Sequence, residues 1–103
     1  MTFDTNGYPT EETLEEIKNI SPINKKSIWK LLDIVETHWH WNNMFILDKE
    51  KGCLELHTGG WSGNEDIIYA LKENYVFWGL CWYKSMCGGH YWFDLRRWLK
   101  NDT

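Results

Sequence analysis

Near its end the chain sets two aromatic segments, VFWGLCWYKSMC and HYWFDLRRWL, on either side of Gly88-Gly89. A glycine pair accepts the positive φ angles of a tight hairpin turn, which most side chains resist. The pattern predicts two antiparallel strands, near 76–86 and 90–97, joined by a two-residue turn. With Cys87 opposite His90, strand alternation gathers Trp78, Leu80, Trp82 and Met86 with Tyr91, Phe93 and Leu95 on one face. The other face receives Phe77, Cys81, Tyr83 and Cys87 with His90, Trp92, Asp94 and Arg96. The first set reads as the core side by its hydrophobicity, the second as a mixed aromatic and polar face.

Upstream, the apolar period changes twice. Thr10 can cap a helix near 10–19 that carries Glu11 and Glu12 in its first turn, where the helix dipole favours negative charge. Ser21-Pro22 interrupts it. Asn24 can cap a second helix near 25–39, whose Ile28, Leu31, Leu32, Val35 and Trp39 recur at three- and four-residue intervals. From Phe45 the period becomes two, and Lys51-Gly52 divides strands near 44–49 and 53–58. A third helix near 63–74 follows, with Ser62 and Glu65 in capping-box register and Ile67, Ile68, Leu71 and Tyr75 on its inner face. The order helix, helix, strand, strand, helix, strand, strand predicts an α+β domain with a mainly antiparallel four-stranded sheet and helices packed on one face. At 103 residues the chain fits a single domain over 1–103, with 1–9 a loose N-terminus.

Seventeen aromatic rings, eight of them Trp, are more than a domain of this size can bury completely. Trp29, Trp39, Trp78 and Trp82 fall where periodicity demands burial, while Trp41, Trp61, Trp92 and Trp98 are less determined. Exposed rings favour partner surfaces. The formal net charge of −4 excludes a general nucleic-acid binder, which needs a basic stripe. Cys53, Cys81 and Cys87 show no paired spacing, so reduced thiols are expected and neither a disulfide framework nor a zinc ribbon is. MTFDTNGYPT has no signal-peptide character, and no apolar run approaches the length of a membrane span. These features predict a cytoplasmic protein.

Three groups of residues could carry chemistry. Gly59, Gly60, Ser62, Gly63 and Asn64 lie where a glycine-rich loop meets a helix start, which can cradle an anion. The same residues equally make a sharp turn with Trp61 as a plug and Ser62 as a cap. His38 and His40, two apart at a helix end, do not have helical metal-ligand spacing, so no metal and no cofactor are expected. Glu55, His57, His90 and Asp94 could share one sheet face, and a histidine beside a carboxylate is the minimum for acid–base work. Without a nucleophile in a recognised setting, solvated polar residues on an open face are the competing reading, and no catalytic residue is assigned.

Across Thr58–Leu95 the stretches TGGWSGNEDIIYAL, FWGLCW and GGHYWFDL resemble small uncharacterised proteins encoded by bacteriophages and prophages. The first 40 or so residues add nothing to that resemblance. It implies an accessory protein in the cytoplasm of an infected bacterium that binds and inhibits a host protein, such as a component of a defence system. The anchors expected for such a partner are Trp61, Trp92 and Arg96, because interface hot spots favour Trp, Tyr and Arg. The alternative is a protein that sequesters or hydrolyses a small nucleotide or signal molecule with the glycine loop 59–63 and nearby rings. A structural phage component is a third reading. No membrane partner is expected.

Overall fold

Two capped helices begin the fold in the computed structural model, which describes residues 7–99. Helix α1 spans Glu11–Asn19, and its Thr10 hydroxyl accepts the Thr13 amide at 3.2 Å. Helix α2 spans Lys25–His38. The Asn24 side-chain Oδ1 accepts the Ser27 amide at 2.9 Å while the Ser27 hydroxyl accepts the Asn24 backbone amide at 3.1 Å, so two otherwise unpaired donors are satisfied reciprocally. The predicted face of α2 is buried through Ile28, Leu31, Leu32 and Val35. The loose stretch expected over 1–9 falls mainly on residues 1–6, outside the described residues; Pro9 is buried.

A 3-10 turn, Asn42–Met44, leads into strands β1 (Phe45–Asp48) and β2 (Cys53–His57), which turn at Gly52 with φ 68°. Helix α3 covers Ser62–Glu73 and α4 covers Tyr75–Cys81. Strands β3 (Trp82–Met86) and β4 (His90–Asp94) and a short helix α5 (Arg96–Leu99) follow. The sheet order is β1-β2-β4-β3, antiparallel throughout. One core joins Ile17, the apolar face of α2, Ile67 and Leu71 of α3, and Phe77 of α4 to Leu54, Leu56 and Phe93 of the sheet.

The architecture is the α+β arrangement expected, with two local corrections. The first concerns residues 75–81, found as helix where 76–81 were expected as strand and Tyr75, here exposed, on the inner face of the third helix. Asn74 is the reason. Its side chain accepts the Phe77 amide at 3.1 Å, capping α4, and donates to the Ile17 and Ile20 carbonyls at 2.9 and 2.7 Å. One buried amide thus caps a helix and fastens it to the end of α1. Phe77 and Cys81, four apart, then lie one turn from each other on the buried side of the helix.

The second concerns the faces of β3. Met86 pairs with His90, so the turn has three residues, Cys87-Gly88-Gly89, where two were expected. That moves Met86 onto the face of His90, away from the core. Trp82 pairs with Phe93 and Lys84 with Trp92, leaving Tyr83 as the extra residue of a β-bulge. A one-residue insertion reverses side-chain parity. Trp82 therefore returns to the parity of buried Phe93, yet as part of an edge strand it stays 45% exposed. The last strand also ends early, at Asp94, and Arg96 belongs to α5.

Candidate functional site

Alternation along β2 and β4 divides the same ten residues into two environments. Leu54, Leu56 and Phe93 are buried against the helices, and half-buried Tyr91 packs on the same side. Cys53, Glu55, His57, His90, Trp92 and Asp94 face the other way and are all partly exposed. The register places Cys53 opposite Asp94, Glu55 opposite Trp92 and His57 opposite His90. β1 adds exposed Ile46 beside Glu55, and β3 adds Lys84 beside Trp92 and Met86 beside His90. This uncovered face is the candidate site.

Trp92 lies at its centre. The bulge at Tyr83 carries Lys84 onto this face, with the ammonium 4.6 Å from the Trp92 ring centroid. Such a contact holds a cation over the negative π face of the ring. On the other flank the ring meets His57 edge-on, with centroids 5.9 Å apart.

At one end of the face a hydrogen-bonded chain runs through three side chains. His57 Nε2–H donates to Glu55 Oε2 at 3.0 Å, and His57 Nδ1 lies 2.7 Å from His90 Nδ1. A carboxylate offers only acceptors. The His57 proton therefore sits on Nε2 in the neutral ring, leaving Nδ1 to accept from His90 Nδ1–H. His90 is also held by its hairpin. Gly89 has φ 84° and lies against Thr58 so closely that a Cβ there would overlap the Thr58 hydroxyl, while the Thr58 amide donates to the Gly89 carbonyl at 2.9 Å. Glycine at 89 thus permits both the turn and the close approach that aligns the two histidine strands. Of the four polar residues singled out from the sequence, Glu55, His57 and His90 are joined directly.

Asp94, the fourth, is paired elsewhere. Arg96 donates Nε and Nη2 to its two carboxylate oxygens at 3.0 and 2.8 Å, and the Arg96 amide donates to Oδ1 at 3.0 Å. The side-chain hydrogen bond from Arg96 is the main reason the Asp94 carboxyl is held below its ordinary value. The pair borders a cleft of about 270 Å³, with Lys51, Cys53 and Tyr83 among its walls. Gly52 has no room for a side chain here, because Arg96 backbone and side-chain atoms crowd the space a Cβ would occupy. Two of the three expected anchors, Trp92 and Arg96, therefore belong to one face.

Trp61 does not share it. Its ring stacks on His40 with centroids 4.5 Å apart and meets Tyr8 at a tilt at 4.7 Å, and His40 meets Trp41 edge-on at 4.4 Å. This column covers the glycine loop: the Trp61 ring lies over Gly63 and the Trp41 ring over Gly59. Trp41 itself has φ 64°, a strained conformation for a bulky residue.

Three of the loop groups considered for an anion, the Gly60 amide, the Ser62 hydroxyl and the Asn64 side chain, make hydrogen bonds within the fold. The Gly60 amide donates to Thr58 Oγ1 at 3.2 Å, and the Asn64 side chain accepts the His40 amide and donates to the His40 and Thr58 carbonyls. Ser62 is not the cap of α3. That position is Trp61, without a side-chain bond, and the Ser62 hydroxyl instead pairs with the Tyr8 hydroxyl at 3.2 Å.

The remaining histidine and the thiols are placed by packing. His38 is buried at the end of α2, where Nδ1–H donates to the Ile34 carbonyl at 2.7 Å. Burial pushes the Cys81 thiol up to about 12 and also raises the Cys53 thiol, with Glu55 adding to the latter. Sequence reasoning set Tyr83 on the mixed face but missed Lys84, because a bulge leaves no signature in apolar alternation.

No protein-family model, curated protein or solved structure matches this chain. No helix among the described residues is long and apolar enough to cross a membrane.

Proposed function

We propose that this chain is a non-enzymatic protein-binding module whose contact surface is the uncovered sheet face. The observation that carries this reading is the composition of that face. Trp92, Tyr83, Lys84, Met86, Ile46 and Arg96 gather there on rigid strands or beside them, while all the fully buried apolar residues of β2 and β4 point the other way. Trp, Tyr, Met and Arg are the side chains that concentrate binding energy in protein interfaces. The Asp94–Arg96 ion pair fixes one guanidinium at the border of the face, and the cleft beside it can take a single side chain of a partner. The resemblance to small phage and prophage proteins supplies the context: a host protein as partner, and inhibition, of a defence component for example, as the outcome.

The test pairs capture with folding. Wild type, Trp92→Ala, Arg96→Ala and the control Tyr75→Ala, which changes a ring 82% exposed on α4, are used to recover partners from infected host cells. Melting temperature is read on each variant. A specific partner should be retained by Tyr75→Ala and lose about 2 kcal/mol or more of binding to Trp92→Ala, with the fold intact. Retention by both the Trp92 and Arg96 variants would refute this face as the contact surface.

A further inference from the structure

The histidine pair has a geometry that protein docking does not use. We infer that His57 and His90 form a two-nitrogen site for a divalent transition-metal ion, cupric or nickel in class, bound through their Nδ1 atoms. Neither the spacing of the histidines nor that of the thiols foreshadows such a site; it arises from the register that sets β2 against β4.

Three observations carry the inference. The two Nδ1 atoms already converge at 2.7 Å, with one proton between them. A metal replacing that proton, with metal–nitrogen bonds of about 2.0–2.1 Å, would hold the nitrogens about 2.9 Å apart at a right angle. At the tetrahedral angle the separation would be about 3.3 Å. The right-angle arrangement needs about 0.2 Å of opening, together with a turn of each ring that carries its Nδ1 lone pair off the line between the nitrogens and toward the metal. Adjacent positions at right angles are those of the square-planar and tetragonal complexes that Cu(II) and Ni(II) prefer with nitrogen ligands.

The second observation is the outer partner of His57. A ligating imidazole commonly donates its other N–H to a carboxylate, which fixes the ring and raises its basicity. His57 Nε2 makes that bond to Glu55 at 3.0 Å, and the tautomer it enforces leaves Nδ1 with a lone pair aimed at the shared position. The third is shelter without closure: the His57 and Glu55 side chains are 17% and 33% exposed, on a face that no core residue covers. Among the described residues no group of three His, Cys, Asp or Glu is placed to hold a metal together. The protein therefore supplies two nitrogens and solvent fills the other positions. A site with so few protein ligands selects strong binders of nitrogen, and copper stands highest in that series.

The experiment titrates CuCl2, and NiCl2 in parallel, into Cys87→Ser protein, because cupric ion oxidises exposed thiols and Cys87 is exposed. Binding is followed by calorimetry and by electron paramagnetic resonance, and location by the loss of amide and imidazole NMR signals near the paramagnetic ion. One equivalent should bind, with broadening centred on residues 57 and 90 and a spectrum showing nitrogen ligation. His57→Gln or His90→Gln should remove that saturable phase. Glu55→Gln should keep the spectrum while weakening affinity about 10–100-fold. Absence of a saturable one-equivalent phase would overturn the inference, as would broadening centred on His40 or binding that persists in the His57→Gln/His90→Gln protein. The NMR reading uses intact histidines, so it decides the question even if a histidine variant fails to fold.

Discussion

Strands β2 and β4 present two surfaces built from alternating residues of one stretch of chain, and the two obey different rules. On the helix side Leu54, Leu56 and Phe93 are fully buried, and each is answered by apolar residues of α2, α3 or α4. On the other side Glu55, His57, His90 and Trp92 answer one another and Lys84, through hydrogen bonds, ring contacts and a cation over the Trp92 ring, at 2.7 to 6.4 Å. Residues one step apart in sequence thus differ in what removing them should cost. A core side chain is held by dispersion and by exclusion from water, which act on any apolar group of the right volume. A polar cluster on an open sheet is held by directional contacts that give little net stability but fix where its atoms point.

The largest expected effect tests that contrast on adjacent residues. Phe93→Ala removes a ring that packs on Phe77 and Trp78, with centroids 5.2 and 5.5 Å away, and should cost about 3–5 kcal/mol of stability. Trp92→Ala removes a larger ring from the open face and should cost about 1 kcal/mol or less, chiefly the contact with Lys84. Chemical denaturation of both variants measures the difference. Equal losses would mean that the open face contributes to the core, and the separation between folding and binding would collapse.

How much of this was legible depends on which physical rule each element obeys. Helices α1 and α2 were readable because caps and apolar spacing agree: Thr10 and Asn24 are local signals, and Ile28 through Val35 repeat with the helix itself. Strands β1 and β2 were readable from alternation around Gly52. Residues 75–81 were not, because Val76, Phe77 and Trp78 favour strands by composition while a long-range bond decides the outcome. Asn74 reaches Ile17 and Ile20, more than 50 residues away, and a cap with such a partner outweighs local preference. Asn74 followed by Phe77 and Cys81 at helical spacing was the signal available. At the site, Trp92, His57 and His90 could be assigned to a sheet face, yet their meeting required the β2–β4 pairing, which adjacent hairpins do not specify. The Tyr83 bulge, which brings Lys84 to Trp92, was hidden for the same reason.

A second contrast compares thiols on the two sides. Cys81 is buried on α4 and its thiol is pushed up to about 12. Cys53 lies partly exposed on the open face, raised first by burial and then by the charge of Glu55. The thiolate is the reacting form. Relative to the reference of 9.0, the shift at Cys81 lowers its thiolate fraction by about a thousandfold, and lack of access slows it further. Alkylation of folded protein at about pH 8, resolved by peptide mass analysis, should modify exposed Cys87 first, Cys53 next and Cys81 last. Labelling of Cys81 as fast as Cys53 would show that α4 opens readily and would weaken the distinction between the faces.

The smallest expected effect lies at the border of the open face, where Asp94 and Arg96 pair in solvent. The folded carboxyl is lowered from the ordinary value of 3.8, first by the side-chain hydrogen bond from Arg96. A group whose folded value is depressed binds protons more readily when unfolded. Its stabilisation is therefore complete above about 3.8 and is lost as pH falls through the lower folded value. Asp94→Asn cannot lose that contribution. Between about pH 5 and the acid limit of folding, the melting temperature of wild type should fall slightly more steeply than that of Asp94→Asn. The gap should be small, because both partners are accessible to water and the Arg96 side chain is 62% exposed. Added salt should narrow it at pH 5, where the ion pair is formed, and leave the Phe93 deficit unchanged, since screening weakens charges at the surface but not apolar packing. A gap that survives high salt would instead assign Asp94 to the framework of the fold, through the bond its carboxylate accepts from the Arg96 amide at the end of β4.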